Sequence, residues 1–569
     1  MRRFFACLLL LMLSPPTLSE GLGEVLLAEN DQVLQVWQQS GGTAPELVRQ
    51  EDGGTVIQWT GGASLDAYHN SASASGTVTP LRSGSFHKLQ MQGDMRAVHP
   101  NGELTYLQFS ATNTDDPAVL SHAPGTQIGT LQFGHSAVDY QFALGDVMAD
   151  FSSLGSSTGL RGVLAQKKFG DTLVSGMAGA LAESWEQLAQ HVDRTRYIRR
   201  VYGAKLDTPI GSNSRVFVTA QSYEDDEESL DNGNSVLAPA SAHTTTAGFV
   251  YQQDRFALQG EAGFSRWQES GRNAEDDRAF ILDASWTFDT LGLTAGHHDI
   301  GPYYTSLSAQ TGSGLRESYF NGNWLAVDWL TLNADVRHSE NKQATISNTG
   351  TPPATSSVNS RKTDSLATTA NITFGPEYTG WSLMLNQSLS SGENGDSADN
   401  RNTGYGSTLS YMDQLWNASL GYQFASSHNI GASATDSDSR SWQLSLGRNW
   451  HNAADRVSAN WMLALSLALS RQQQELDTGG GPTTTSWQLG LNGQHDNWGI
   501  LSASYMHGIT SGQPGGGDIR QEGWQIDASH PLGSDNSINL YLRENTTSGS
   551  TTGADYEERV AGIQLVWMI

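Results

Sequence analysis

The strongest constraint in this chain is a period of two. In "SWQLSLG" Trp442, Leu444 and Leu446 alternate with Gln443, Ser445 and Gly447; in "SWQLGLNG" Trp487, Leu489 and Leu491 alternate with Gln488, Gly490 and Asn492. In "LWNASLGYQF" Trp416, Ala418, Leu420, Tyr422 and Phe424 alternate with Asn417, Ser419, Gly421 and Gln423. Successive side chains of an extended strand point to opposite faces, so each segment has one apolar face and one face of small or polar groups. The same dyad recurs in "VDYQFALG", "LDASWTF", "LTLNADV", "GWQIDAS" and "SINLYLR". Beyond the N-terminus no stretch holds the roughly twenty consecutive apolar residues of a membrane helix. The chain is only 37% hydrophobic, yet 16 Trp, 17 Tyr and 17 Phe are too many aromatics for disorder. A fold that is apolar on one strand face accounts for both facts.

The connections between these segments alternate in length. Long polar ones fall at 224–243 ("EDDEESLDNGNSVLAPASAH"), 339–363, 390–403, 428–440, 471–486 and 507–519. Tight ones fall between them, among them "QDR" at Gln253, "DTLG" at Asp289, "MDQL" at Met412 and "PLGSD" at Pro531. Long loops at one end and short turns at the other are the pattern of a transmembrane barrel, whereas a soluble sandwich has no reason to sort its loops. Trp381, Trp416, Trp442, Trp487 and Trp524 lie near strand ends, where a bilayer interface favours amphipathic rings. The reading is an all-β, transmembrane, antiparallel up-and-down β-barrel of about 24 strands, in a range of about 22 to 26. Residues 85–569 form the barrel in this reading, and 20–84, which alternate poorly, form a periplasmic segment or luminal plug.

The opening "MRRFFACLLLLMLSPPTLSE" has a charged start, a short apolar core and the small residues Thr17 and Ser19, so 1–19 are expected to be a signal peptide. The chain's one cysteine, Cys7, lies within it, which leaves no disulfide or Cys-metal framework for the exported chain. Lys+Arg number 32 against 59 Asp+Glu; without Arg2 and Arg3 the balance is 30 − 59 = −29, and nucleic acid is not an expected partner. No cofactor is expected.

The chain ends "RVAGIQLVWMI", with Ala561, Ile563, Leu565, Trp567 and Ile569 on one face. Here the chain resembles Gram-negative outer-membrane β-barrel proteins, over nearly everything after about residue 85. The resemblance implies that this face is the signal read by the outer-membrane assembly machinery; Ile569 stands where Phe is usual. It also implies outer-membrane lipid and lipopolysaccharide as surroundings, with the long loops extracellular. In "LGDVMADFSSLGSSTGLRG" Gly145–Asp146 and Arg161–Gly162 resemble the Gly-Asp to Arg-Gly hairpins of ushers and secretion-associated barrels. Asp146 and Arg161 are equidistant from the loop centre and are expected to pair across the strands. Because Asp146 shares parity with lipid-facing Leu144, a bulge near Gly145 is expected to turn it inward.

Asp139, Asp283, Asp335, Arg337, Arg448, Asp527 and Arg543 are expected to line the lumen, giving a polar pore with mild cation preference. His297 and Asp299 in "GHHDIG", and 426–429 ("SSHN"), carry residue types of metal or hydrolytic sites, but polar strand ends account for them better. A short amphipathic helix is expected within 183–192, and the acidic runs "EDDEES" and "NAEDD" are expected in solvated loops. The expected function is a channel or export conduit for a solute, polymer or protein, working with a periplasmic partner or an exported cargo rather than by bond chemistry, because a ring this wide leaks unless it is filled. The alternatives are a non-conducting surface scaffold or adhesin and, less favoured, a barrel hydrolase.

Overall fold

The structure, a computed structural model, describes residues 54–568 apart from 76–82, 118–124, 183, 190–196, 231–237, 272, 309–312, 346–356, 376–377, 395–396, 431–435, 451–460, 478, 496, 513–516, 534–535 and 550–554. The expected signal peptide, residues 20–53 and Ile569 lie outside the described residues. One sheet of 27 strands runs through the molecule. Leu307–Ser308 stands apart from the wall and pairs in parallel with Ser156 and Ser157, so 27 − 1 = 26 antiparallel strands close the ring. The strand number is at the upper end of the expected range.

The ring closes between Val56–Ala74 and Tyr556–Met568, with 13 register pairs running from Gly62↔Met568 to Ala74↔Tyr556. The expected boundary at residue 85 is therefore corrected: Val56–Ala74 is the first wall strand, paired on its other side with Gly84–Val98. Its many Gly, Ser and Ala residues weaken the alternation in sequence, yet Ile57, Trp59 and Leu65 still fall on one exposed face. On the inner face the Tyr541 hydroxyl donates to Asp66 across the seam at 2.8 Å, and Gly562 leaves room for the Tyr541 ring between them.

Wall strands run from 10 to 19 residues, longer than the sequence suggested. The expected loop at 339–363 shrinks accordingly, because one strand continues to Thr345 and the next starts at Ser357. The outward face carries two aromatic belts. Towards the short turns lie Phe256 and Trp286 (ring centroids 5.0 Å apart), Trp381 and Tyr411 (5.0 Å), and Trp461 and His495 (4.9 Å). Further up the wall lie Tyr422 and Trp442 (4.3 Å) and Trp487 and Tyr505 (5.0 Å). Between the belts the face is mainly Leu and Ala, with Arg448 next to the lower belt, and from Trp442 to Trp450 the strand covers about 27 Å of path at roughly 3.4 Å per residue. At a strand tilt of about 40° that path makes about 20 Å of wall height, near the apolar band of a transmembrane barrel.

Two outcomes follow. Single cysteines at 487, 489 and 491 will accept a lipid-side label and those at 488, 490 and 492 a water-soluble one; equal aqueous labelling of both sets contradicts the wall assignment. Tyr541→Phe, which removes the seam hydrogen bond while keeping the ring, will lower stability by about 1 kcal/mol in urea titrations of the folded barrel.

Candidate functional site: the lumen and its inserted hairpin

Five register pairs, Gln132↔Gly145 to Ser136↔Gln141, join Thr126–Ser136 to Tyr140–Asp150, whereas eleven join Tyr140–Asp150 to Ser156–Phe169. Above Gly145 the hairpin Tyr140–Phe169 leaves the wall and bends into the lumen. Gly145 has φ +105, and a Cβ there would stand 1.9 Å from the Leu131 carbonyl oxygen; a Cβ on its partner Gly162 would stand 2.1 Å from that of Ala178. Only glycine lets the strands approach so closely at the bend.

The bend strips the upper half of Thr126–Ser136 of its strand partner, and side chains replace it. Asp146 Oδ2 accepts from the Leu131 amide (2.7 Å) and from Trp185 Nε1 (2.7 Å). Glu186 Oε1 accepts from the Ile128 amide at 2.6 Å. Trp185 and Glu186 open the short helix Trp185–Ala189, within the segment expected to be helical, and this helix caps the gap. Arg161 faces Asp146 in register, with Nε 3.4 Å from Oδ1. The expected pair thus forms without a register slip in the ladder to Ser156–Phe169: Asp146 keeps the parity of Leu144, and that face meets no lipid because the hairpin has left the wall. A cavity of about 370 Å³ lies behind it, lined by Gln108, Gln132, Asp146 and Arg161 among others.

The front of the hairpin packs on the inner wall. Val147, Ala149, Phe151 (2% exposed) and Leu160 are buried with Met177, Val201, Tyr223 and Ala242. At the tip Leu154 (0% exposed) is buried with Ala279, Ile281, Ile300 and Tyr304. Burying a Leu, Val or Phe side chain contributes about 1.5–3 kcal/mol, so apolar burial is the main favourable contribution to docking. Polar contacts set its position: Leu154 N donates to Glu261 (3.2 Å), Gln221 Nε2 to the Gly155 carbonyl (2.5 Å), and Ser152 Oγ lies 3.2 Å from Thr246 Oγ1.

A second insert, the connection at 301–308, locks the first. The Tyr304 hydroxyl donates to the Leu154 carbonyl at 2.9 Å and Leu307 N to that of Gly155 at 3.1 Å. Burial, and then the nearby Glu261 carboxylate, raise the Tyr304 phenol above its ordinary range, so it stays a donor. The insert covers the inner wall of strands between Thr172 and Ile300.

The remaining lumen divides by charge. Asp283 accepts from His298 Nε2 (2.8 Å), the Tyr319 hydroxyl (2.7 Å) and Gln259 (3.2 Å). Arg337 bridges Glu317 (3.2 Å) and Asp335 (3.8 Å), and Arg543 lies 3.5 Å from Asp527. These five expected lining residues share the inner face. In contrast, the inner faces of the seven strands from Trp381–Asn394 to Gly499–Ser511 carry no charged side chain among the described residues. Ser, Thr, Asn, Gln and Gly dominate there, with neighbouring hydroxyls joined in pairs such as Ser419 and Ser445 (2.7 Å) or Ser470 and Ser486 (2.6 Å).

Two expected lining residues are corrected. Asp139 sits in the turn after Thr126–Ser136, 58% exposed and 3.9 Å from Lys167, because the strand ends at Ser136 rather than running through it. Arg448 pairs in register with Trp416 and shares parity with Trp442 and Leu446, so it lies on the outward face. The charge of its side chain argued for water, but the register assigns the face. His297 and Asp299 also point outward, to Ser318 (2.8 Å) and Arg316 (3.8 Å), and His428 pairs with Asp436 at a loop base. The inward histidine of that motif is His298, which its parity with Gly292, Thr294 and Gly296, opposite to Leu291 and Leu293, would have revealed.

No known family profile matches the chain, and neither does any curated protein. Among solved structures it is similar to the P pilus usher PapC translocation pore (10% identity over 89% of this chain and 99% of that one, TM-score 0.39). It is also similar to the copper transporter OprC (9%, 90% and 83%, 0.40) and to the siderophore receptor PirA of Pseudomonas aeruginosa (10%, 92% and 81%, 0.39).

Ser152→Cys with Thr246→Cys will form a disulfide under mild oxidation, reporting the docked hairpin. Adding Gly145→Val will abolish that cross-link on non-reducing gels while the barrel still closes.

Proposed function

We propose that this outer-membrane barrel is a conduit, with its long connections outside the cell and its short turns and seam ends towards the periplasm. The observation that carries the reading is the continuous water-compatible lining of a 26-strand ring, occupied along one side by a docked hairpin and uncharged along the other. A ring of this size exceeds what a small solute needs, which favours an exported polymer or protein cargo with a periplasmic partner. Along the uncharged arc such a cargo meets mostly exchangeable hydrogen-bond partners and no charge among the described residues, so passage there is governed by size and by contacts made elsewhere. Chemistry on the cargo is not part of the reading: His297 and Asp299 lie on the outer face with separate partners, and His298 meets a carboxylate and a phenol but no nucleophile among the described residues. The face of Ala561, Ile563, Leu565 and Trp567, with Ile563 and Trp567 exposed, supports reading the last strand as the assembly signal.

Purified protein in planar bilayers will show ion conductance with weak charge selectivity. Gln443→Asp with Gln488→Asp will move the reversal potential towards the cation value without abolishing conductance. Silence from the wild type and from a variant whose tip at 151–155 is cut to Asn-Gly would instead favour the scaffold.

A further inference from the structure

The outward face of a membrane barrel is the costliest place for a charge, and Arg448 occupies it. Its guanidinium carbon lies 4.7 Å from the Trp416 ring centroid and 4.8 Å from that of Trp450, held between two indoles. Trp416 opens its strand directly after the tight turn at 413–415, and Trp450 ends the neighbouring one, so the cluster sits in the aromatic belt beside the short turns. Arg448 Nε is buried and has no hydrogen-bond partner, and no carboxylate among the described residues pairs with the side chain. The apolar neighbours Leu446 and Leu465 continue the wall into the hydrocarbon.

Two other outward arginines, Arg316 and Arg559, differ from it. Arg316 faces Asp299 and Arg559 faces Glu544 and Glu557, so their charge is met within the protein. Arg448, by contrast, is oriented by two rings and has no anionic partner among the described residues. Indole faces attract the cation without neutralising it, and its N–H groups form a fork that matches two oxygens of a phosphate. In a bilayer the anion at the depth of an aromatic belt is the lipid phosphodiester.

We propose that Arg448, Trp416 and Trp450 form a binding site for the phosphate of one phospholipid in the leaflet next to the short turns. Arg448 grips the phosphodiester, while Trp416 and Trp450 fix the guanidinium and line the first part of the acyl chains. The site depends on the barrel being embedded in lipid and is independent of what the lumen carries.

Native mass spectrometry of the full barrel, released from detergent after exchange into phosphatidylglycerol or into a galactosyl diacylglycerol of the same chains, tests this. The wild type is expected to retain one phosphatidylglycerol at least tenfold more tightly than the galactolipid. Arg448→Gln will lose that preference, and Arg448→Lys, which keeps the charge without the fork, will recover part of it. Equal retention of the two lipids by the wild type overturns the proposal without recourse to any variant, as does an undiminished preference in Arg448→Gln.

Discussion

Every backbone N–H and C=O in the hydrocarbon must find a partner inside the protein, and the rest of this structure depends on that requirement. A sheet meets it only by closing, so the 13-pair seam between Val56–Ala74 and Tyr556–Met568 is as necessary as any internal ladder. Closure in turn sorts every residue by parity, one face to lipid and the other to the lumen. The same rule explains the place where one ladder of the wall is cut short. Where the hairpin leaves its neighbour above Gly145, the stranded amides of Ile128 and Leu131 are taken by Glu186 and Asp146. The helix that supplies Glu186 is therefore part of the wall's hydrogen bonding as well as its cover.

The hairpin converts a wall element into a luminal one at little cost in hydrogen bonds. It exchanges half of one ladder for side-chain acceptors, and gains the burial of Phe151, Leu154 and their neighbours against the inner wall. Glu261, 4% exposed and holding the Leu154 amide, is the polar anchor within that apolar contact. The result is a lumen with two unlike sides. One is filled and specifically bonded; the other, along the seven strands between Trp381 and Ser511, is mostly hydroxyls and amides with no charge among the described residues. This asymmetry is the physical basis for reading the ring as a conduit with a positioned obstruction.

Much of this was legible from alternation. The wall strands, their outward aromatics, the sorting of loops and turns, and the pairing of Asp146 with Arg161 all follow from local pattern, because a period of two and a turn position are properties of neighbouring residues. The first wall strand was missed because Gly61, Gly62 and its many Ser and Ala residues dilute the pattern, and only the partner strand shows what they pair with. Asp139 and Arg448 were misplaced for a related reason: a charged side chain suggests water, but parity and the strand's end decide its surroundings. His298 was overlooked beside His297 although parity separates them.

The alternation of apolar and polar residues, with turns of unequal length, sufficed to make this a closed membrane barrel, since lipid admits no other solution for one-faced strands. It could not reveal that the hairpin folds inward, because Val147, Ala149 and Phe151 alternate as any wall strand does, and their partners Met177, Val201 and Tyr223 are far along the chain. Which residues share the lumen, where an uncharged arc lies, and that Arg448 faces outward between two indoles depend on register around a ring of 26 strands. Register is a relation between strands, fixed by simultaneous pairing on both edges, and it exists only once the ring has closed.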